Sequence, residues 1–193
     1  MSGFRYLALR SAAAAILALG PVAAVPASAQ MAERTVTVGG APMYPSRTIV
    51  QNAVNSKDHT TLVAAVKAAG LVDTLQQPGP FTVFAPTNAA FGKLPKGTVD
   101  TLLKPENKSK LTGVLTYHVV PGRMTAQNLM TAVEQGRGRA MLKTAEGETL
   151  TVTRKGKNLM VTDGKGRTAR VTIPDVLQSN GVIHVVDSVL LPS

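Results

Sequence analysis

The chain has 193 residues, no cysteine and a formal net charge of +10. Without cysteine it has no disulfide, no thiolate metal site, no cysteine nucleophile and no lipid-modified cysteine. Its length is sufficient for one domain with a hydrophobic core of its own, and we expect a single such domain.

The first 29 residues have the three parts of an export signal. Two arginines precede an apolar stretch over residues 11–25, and Ala27-Ser28-Ala29 follows it. This is the order of a charged region, an apolar region and a cleavage site in secretory signal peptides. A Gly-Pro pair breaks the apolar stretch, which is shorter than the ~20 residues that span a bilayer, so no transmembrane anchor is predicted. We predict cleavage after Ala29 and a secreted or periplasmic protein.

The next segment, residues 30–45, contains several glycines and prolines without periodicity, and it is predicted to be a flexible lead-in. The folded domain is then predicted to cover residues 46–193. Apolar side chains at helical spacing predict two short helices, over residues 49–54 and 62–69. Gly70 is suited to end the second helix, because glycine accepts the left-handed conformation found at helix ends.

The middle of the chain mixes short strands and helices. A β-branched and aromatic run between two prolines predicts a buried strand, and three later runs have helical spacing. Another apolar run, which starts at Tyr117, stops at a Pro-Gly pair and is strand-like. The predicted strands are 81–84 and 117–120, and the predicted helices are 98–103, 106–116 and 125–133.

From residue 140 onward the apolar side chains alternate with a period of two, which predicts a sheet. Lys155-Gly156 marks one reversal, and Asp163-Gly164 is predicted to form a tight hairpin turn. The predicted strands lie near 150–153, 159–162, 168–173 and 182–186. Helices followed by hairpins indicate an α+β domain whose antiparallel strands share one core.

Three ordered segments resemble the signature segments of fasciclin domains. They are residues 81–91 (FTVFAPTNAAF), 117–122 (YHVVPG) and 180–192 (NGVIHVVDSVLLP), and the resemblance extends over residues 46–192. It implies an α+β, fasciclin-like wedge of about seven mainly antiparallel strands, sandwich-like or barrel-like, with several short helices packed against it. It also implies extracellular adhesion or protein binding without a cofactor.

The same resemblance supplies candidate binding residues. In animal members, adhesion is associated with a Tyr-His segment and with an acidic Pro-Asp-Ile segment before the last signature. Tyr117 and His118 match the first, and Pro174, Asp175 and Val176 match the second, with Val in place of Ile. The implied partner is a protein or glycan at the cell envelope or outside the cell.

A second candidate surface follows from charge. Five cationic residues occur at or beside the two predicted reversals, and they are predicted to form a basic rim: Arg154, Lys155, Lys157, Lys165 and Arg167. Clustered positive charge attracts polyanions, and screening by salt weakens that attraction. Nucleic acid is not predicted as the partner, because the chain is exported and carries few aromatic residues for base stacking.

Catalytic patterns are missing from the sequence. There is no His-Glu-x-x-His, no Gly-x-Ser-x-Gly and no phosphate-binding glycine motif, so neither an enzyme nor a metal or other cofactor is predicted. His118 and His184 lie in apolar runs and are expected to be core groups. Two alternatives stay open: an envelope carrier of a small hydrophobic ligand with a methionine-containing core, and a hydrolase whose groups come from distant segments.

Overall fold

The computed structural model describes residues 35–193, so the predicted signal peptide and its cleavage lie outside the described residues. The strands are β1 Val36–Val38, β2 Ala41–Met43, β3 Phe81–Pro86, β4 Val119–Pro121, β5 Arg139–Lys143, β6 Thr149–Lys155, β7 Asn158–Thr162, β8 Thr168–Gln178 and β9 Gly181–Val186. The α-helices are α1 Ile49–Ala53, α2 Thr60–Ala69, α3 Val72–Gln76, α4 Asn88–Gly92, α5 Thr98–Leu102, α6 Lys108–Tyr117 and α7 Ala126–Gln135. The predicted α+β class is confirmed.

Seven strands form one sheet in the order β4-β3-β9-β8-β7-β6-β5. All neighbours are antiparallel except β3 and β9, which run parallel. The amide of Ala145, just after β5, donates to the carbonyl of Val119 in β4 at 2.7 Å, so the two edges of the sheet meet at one end. Consecutive hairpins therefore link β5 through β9, and the parallel pairing of β9 with β3 joins these five strands to β3 and β4.

Capping residues fix where several helices start and stop. Thr48 and Gln51 form a reciprocal capping box at α1, and Thr125 and Asn128 form another at α7. As predicted, Gly70 ends α2 in the left-handed conformation, with φ 73°. These helix ends are thus encoded by local capping residues.

The core consists of two apolar clusters. One packs α1, α2, α3 and α6 against β3 and β9. The other packs α7 against the hairpin strands, with Leu129 and Val133 of the helix meeting Leu150, Val152 and Val161 of the sheet. On the opposite face of β5 to β8 the side chains are exposed or half-buried, so this outer face is open to solvent within residues 35–193.

The segment predicted as a flexible lead-in contains a folded hairpin. Residues 36–43 form the hairpin β1–β2, and Val38 and Met43 are buried in the first apolar cluster. Gly39 and Gly40 have φ 59° and 77°, the positive values that a tight two-residue hairpin turn requires. The prediction that folding starts near residue 46 was therefore wrong, because the glycine pair is a hairpin signal.

The predicted tight turn at Asp163-Gly164 is instead a longer loop. The left-handed residue is Gly166, with φ 78°. The Asp163 carboxylate is buried and accepts from the amides of Lys165, Arg167 and Leu191 at 2.9–3.0 Å, and from the Arg167 Nε at 3.0 Å. Asp163 therefore shapes the loop through its side chain and ties the C-terminal segment to it.

Candidate functional site

Tyr117 is the last residue of α6 and is fully buried. Its hydroxyl accepts from the Gly164 amide at 2.8 Å and donates to the Thr149 carbonyl at 3.3 Å. Burial raises the pKa of this phenol above its usual value, so it stays protonated. Tyr117 therefore joins α6 to the β7–β8 loop and to β6, and it offers no surface to a partner.

His118 follows Tyr117 as the C-terminal cap of α6, so the predicted strand over 117–120 was wrong in its first half. The ring Nδ1 lies 2.8 Å from the Val114 carbonyl and donates to it, while Nε2 accepts from the Leu190 amide at 3.0 Å. Burial lowers the pKa of His118 to about 4. The neutral ring is a structural bridge, as the sequence predicted.

His184, in the middle of β9, is also buried and bonded on both nitrogens. Nε2 donates to the Met124 carbonyl at 2.8 Å, and Nδ1 accepts from the Asp175 amide at 3.3 Å. The ring stacks on Phe84 with centroids 5.7 Å apart. Burial lowers the pKa of His184, so this imidazole too is held neutral and structural.

The Pro174-Asp175-Val176 segment lies at an irregularity in the pairing of β8 with β9. Asp175 has φ 56°, a left-handed conformation that aspartate tolerates better than most residues. Its Oδ1 accepts from the Ala126 amide at 2.6 Å, in the first turn of α7. Val176 is buried, whereas Pro174 is exposed and Asp175 is half-buried.

Replacing Asp175 with alanine is expected to lower the free energy of unfolding by about 1 kcal/mol, because the Ala126 amide loses its acceptor. Asp175→Asn keeps an oxygen acceptor and the tolerance for positive φ, so it is the matched control. Urea unfolding of the three proteins measures the difference. An Asp175→Ala midpoint equal to that of the parent protein would contradict the capping role.

The five predicted rim residues do not form one surface. Lys155 ends β6 and Lys157 lies in the β6–β7 turn, while Lys165 and Arg167 lie in the β7–β8 loop at the other end of β7. A five-residue strand separates the two ends by about 13 Å. Arg154 points toward α7, where its guanidinium contacts Glu134 at 3.1 Å. The rim is therefore replaced by two separate basic ends, because adjacent hairpin turns lie at opposite ends of the strand they share.

Several buried polar residues were missed by sequence reasoning. The Asn52 amide nitrogen donates to the Tyr44 carbonyl at 2.8 Å and also contacts the Gln178 side chain. The Asn180 side chain accepts from the Ile49 amide at 3.0 Å and donates to the Leu75 carbonyl at 2.8 Å. Asn180 is the first residue of the third signature segment, and this position was the only feature of the sequence that could have indicated its role. These groups fix helices on the sheet rather than face a ligand.

An apolar cavity of about 120 Å³ lies between the first helices and β3. Its walls are almost wholly apolar, with side chains from α1, α2 and α3, β3 and β4; Lys67 and Thr116 are among the few polar residues beside it. Within residues 35–193 no group of three or more His, Asp or Glu could hold a metal ion. No helix in that range has the length and hydropathy to cross a membrane.

Comparison with known proteins places this fold in one family. The family model for the fasciclin domain matches residues 57–192. The chain is 44% identical over 177 residues to the protein sll1483 of Synechocystis sp., covering 91% of this chain and 90% of that relative. It is 40% identical over 145 residues to the immunogenic protein MPB70 of Mycobacterium bovis, covering 72% of this chain and 66% of that protein.

Two further similarities involve larger proteins. Human periostin is 30% identical over 146 residues, which cover 75% of this chain but only 16% of periostin. A solved FAS1 domain pair from the insect cell adhesion molecule Fasciclin I has a TM-score of 0.67 at 20% identity, covering 77% of this chain and 52% of that chain. The hairpin β1–β2 and helix α1 precede the region that the family model matches. By its family-model match, its relatives and its fold, the chain belongs to the fasciclin domain family.

Proposed function

We propose that the chain is an exported, non-enzymatic adhesion module that binds a protein or glycan at the cell envelope or outside the cell. The observation that carries this proposal is membership of the fasciclin domain family, combined with the structural use of the buried imidazoles. One solved member of the same fold is described as a cell adhesion molecule. The export signal predicted from residues 1–29 supports the location.

The arrangement of the polar groups favours surface recognition over catalysis. His118 and His184 each use both ring nitrogens for hydrogen bonds that hold the fold together. A general base needs a free nitrogen within reach of a substrate proton. From the candidate binding residues implied by the resemblance, we retain Pro174 and Asp175 as a proposed contact. The Asp175 oxygen available to a partner is the one that does not accept from the Ala126 amide.

The test is capture of envelope material. The full chain, expressed and processed by a bacterial host, is immobilised and incubated with envelope extract, and the retained proteins and glycans are identified. Saturable retention that free protein competes away supports adhesion. Retention indistinguishable from that of an unrelated immobilised protein of equal net charge would refute it.

A second candidate function is the binding of a small apolar ligand. The cavity of about 120 Å³ is the observation that favours it. An apolar cavity of about 150 Å³ stays dry and binds benzene, so a space of this size can hold a single aromatic ring or a short alkyl group. Binding would bury apolar surface of both the ligand and the cavity walls.

Benzene is therefore expected to raise the Tm of the protein by about 2–4 °C, which corresponds to about 1 kcal/mol of ligand-linked stability. Val63 lines the cavity, and Val63→Phe should fill it and abolish the increase. Val63→Ala, which enlarges the space, is the matched control and should keep the increase. Thermal unfolding with and without benzene gives the answer, and an equal effect of benzene on all three proteins would contradict binding in this cavity.

A further inference from the structure

The helices leave the outer face of strands β5 to β8 open to solvent. Buried and more exposed side chains alternate along all four strands, and the buried set faces α7. The strand register places the outward residues in rows: Arg139, Thr153, Met160 and Arg170 form one row, and Met141, Thr151, Thr162 and Thr168 form the next.

The charge of this face has one sign. Arg139, Lys143, Lys155 and Arg170 are its outward charged residues, all four are exposed, and none of the outward side chains of the four strands is acidic. The Asp187 carboxylate, beside the face, lies 3.9 Å from the Arg170 Nε and 3.7 Å from the Lys93 Nζ. Arg139, Lys143 and Lys155 form no ion pair within residues 35–193. We define these four cations with the threonines between them as the basic sheet face.

The spacing of the cations favours an extended ligand. Arg139 and Lys143 are four residues apart on one strand, about 13 Å, and Arg139 is separated from Arg170 by three strand spacings, about 14 Å. Charges spread over these distances match anionic groups repeated along a chain better than they match one small anion. A linear polymer with repeated anionic groups can contact several at once, and multivalent contact raises the overall affinity.

The groups between the cations select the kind of polymer. The rows contain threonine hydroxyls, which both donate and accept hydrogen bonds, and the thioethers of Met141 and Met160; Met141 is 71% exposed. There is no aromatic ring on the face, so the stacking platforms that bind single-stranded nucleic acid are missing from it. Hydroxyls beside cations instead complement the hydroxyls and anionic groups of an acidic sugar chain.

We infer that the basic sheet face binds a linear acidic polysaccharide, carrying carboxylate or sulfate groups. This inference rests on the proposed function as an adhesion module and names both the surface and the partner class. It replaces the rim predicted from the sequence, because Lys155 is the only rim residue whose side chain belongs to this face. Binding should weaken with salt, since exposed charges are screened over about 8 Å at physiological ionic strength.

The test compares two quadruple variants of equal net charge. R139Q/K143Q/K155Q/R170Q removes the cations of the face. K57Q/K96Q/K108Q/K110Q removes four exposed lysines from the rest of the surface. Each protein, expressed as the full chain and processed by the host, is titrated with polygalacturonate, dextran sulfate, neutral dextran and long-chain polyphosphate at low and at physiological salt, after circular dichroism has verified the fold.

We expect the face variant to lose at least tenfold in affinity for both acidic polysaccharides, while the control variant stays within about threefold of the parent. Equal losses in the two variants would show that only net charge matters and would overturn the inference. So would tighter binding to polyphosphate than to either acidic polysaccharide, or no binding by the parent protein.

Capture on envelope material separates this inference from the proposed function. If the face variant binds both the acidic polysaccharides and the envelopes as the parent protein does, the inference fails while adhesion stands. If the parent binds acidic polysaccharide through the face but no envelope material, the inference holds and the proposed adhesion fails.

Discussion

Replacing His118 with alanine is expected to lower the free energy of unfolding by about 3–4 kcal/mol. The ring is buried, and its removal leaves the Val114 carbonyl and the Leu190 amide without their partners at 2.8 and 3.0 Å. Each unsatisfied buried group costs about 1–3 kcal/mol, and the space left by the ring adds a cavity term. Urea unfolding at pH 7.5 measures the loss.

His59 provides the matched control for this prediction. It is also buried, but its ring has one side-chain partner, the Ser56 hydroxyl at 2.9 Å, and Nε2 has no partner within residues 35–193. His59→Ala should therefore cost clearly less than His118→Ala. Equal losses in the two variants would show that ring volume alone determines the effect and that the two backbone bonds of His118 contribute nothing measurable.

Much of the fold could be predicted because its signals are local. The alternation around Leu150 and Val152, the glycine after α2 and the apolar spacing in α6 each describe one element, and each of these elements is present. The register that brings β9 beside β3 is different. It depends on contacts between residues about a hundred positions apart, so periodicity could not predict it, and the resemblance to fasciclin domains implied only the overall architecture.

The candidate site was predicted less well, and the reason is also physical. Tyr117 and His118 sit in an apolar run, but whether such a run is a strand or a helix end depends on what its polar atoms meet, here Gly164, Thr149, Val114 and Leu190. None of these partners is next to Tyr117 or His118 in the sequence. A pattern of residue types cannot assign those hydrogen bonds.

The grouping of the cations on the surface could not be predicted from the sequence for a similar reason. Lys155 and Lys165 are ten residues apart and look like one cluster, yet they lie at opposite ends of β7. Arg139 and Arg170 are distant in sequence but share one row of the sheet through Thr153 and Met160. Which cations act together is decided by strand register, and register was not available from the spacing of the cations themselves.

Acid is expected to destabilise the protein strongly between pH 6.5 and about pH 4. Burial lowers the pKa of His118 to about 4, whereas the unfolded chain has the ordinary value of 6.5. Above pH 6.5 the ring is neutral in both states and the free energy of unfolding does not depend on it. As the pH falls through this window, the unfolded state binds a proton at this ring and the folded state does not. The free energy of unfolding therefore decreases by about 1.4 kcal/mol per pH unit.

Over the whole window His118 alone therefore accounts for a loss of about 3 kcal/mol, and the lowered pKa values of His59 and His184 act in the same direction. Urea unfolding at steps between pH 7.5 and pH 4.5 measures the slope, in a range above the ordinary pKa of most carboxylates. His118→Gln, which can still donate and accept a hydrogen bond but does not titrate, should flatten the slope by about one proton. Parallel slopes for the parent protein and His118→Gln would mean that the buried imidazole is not the group that couples folding to pH.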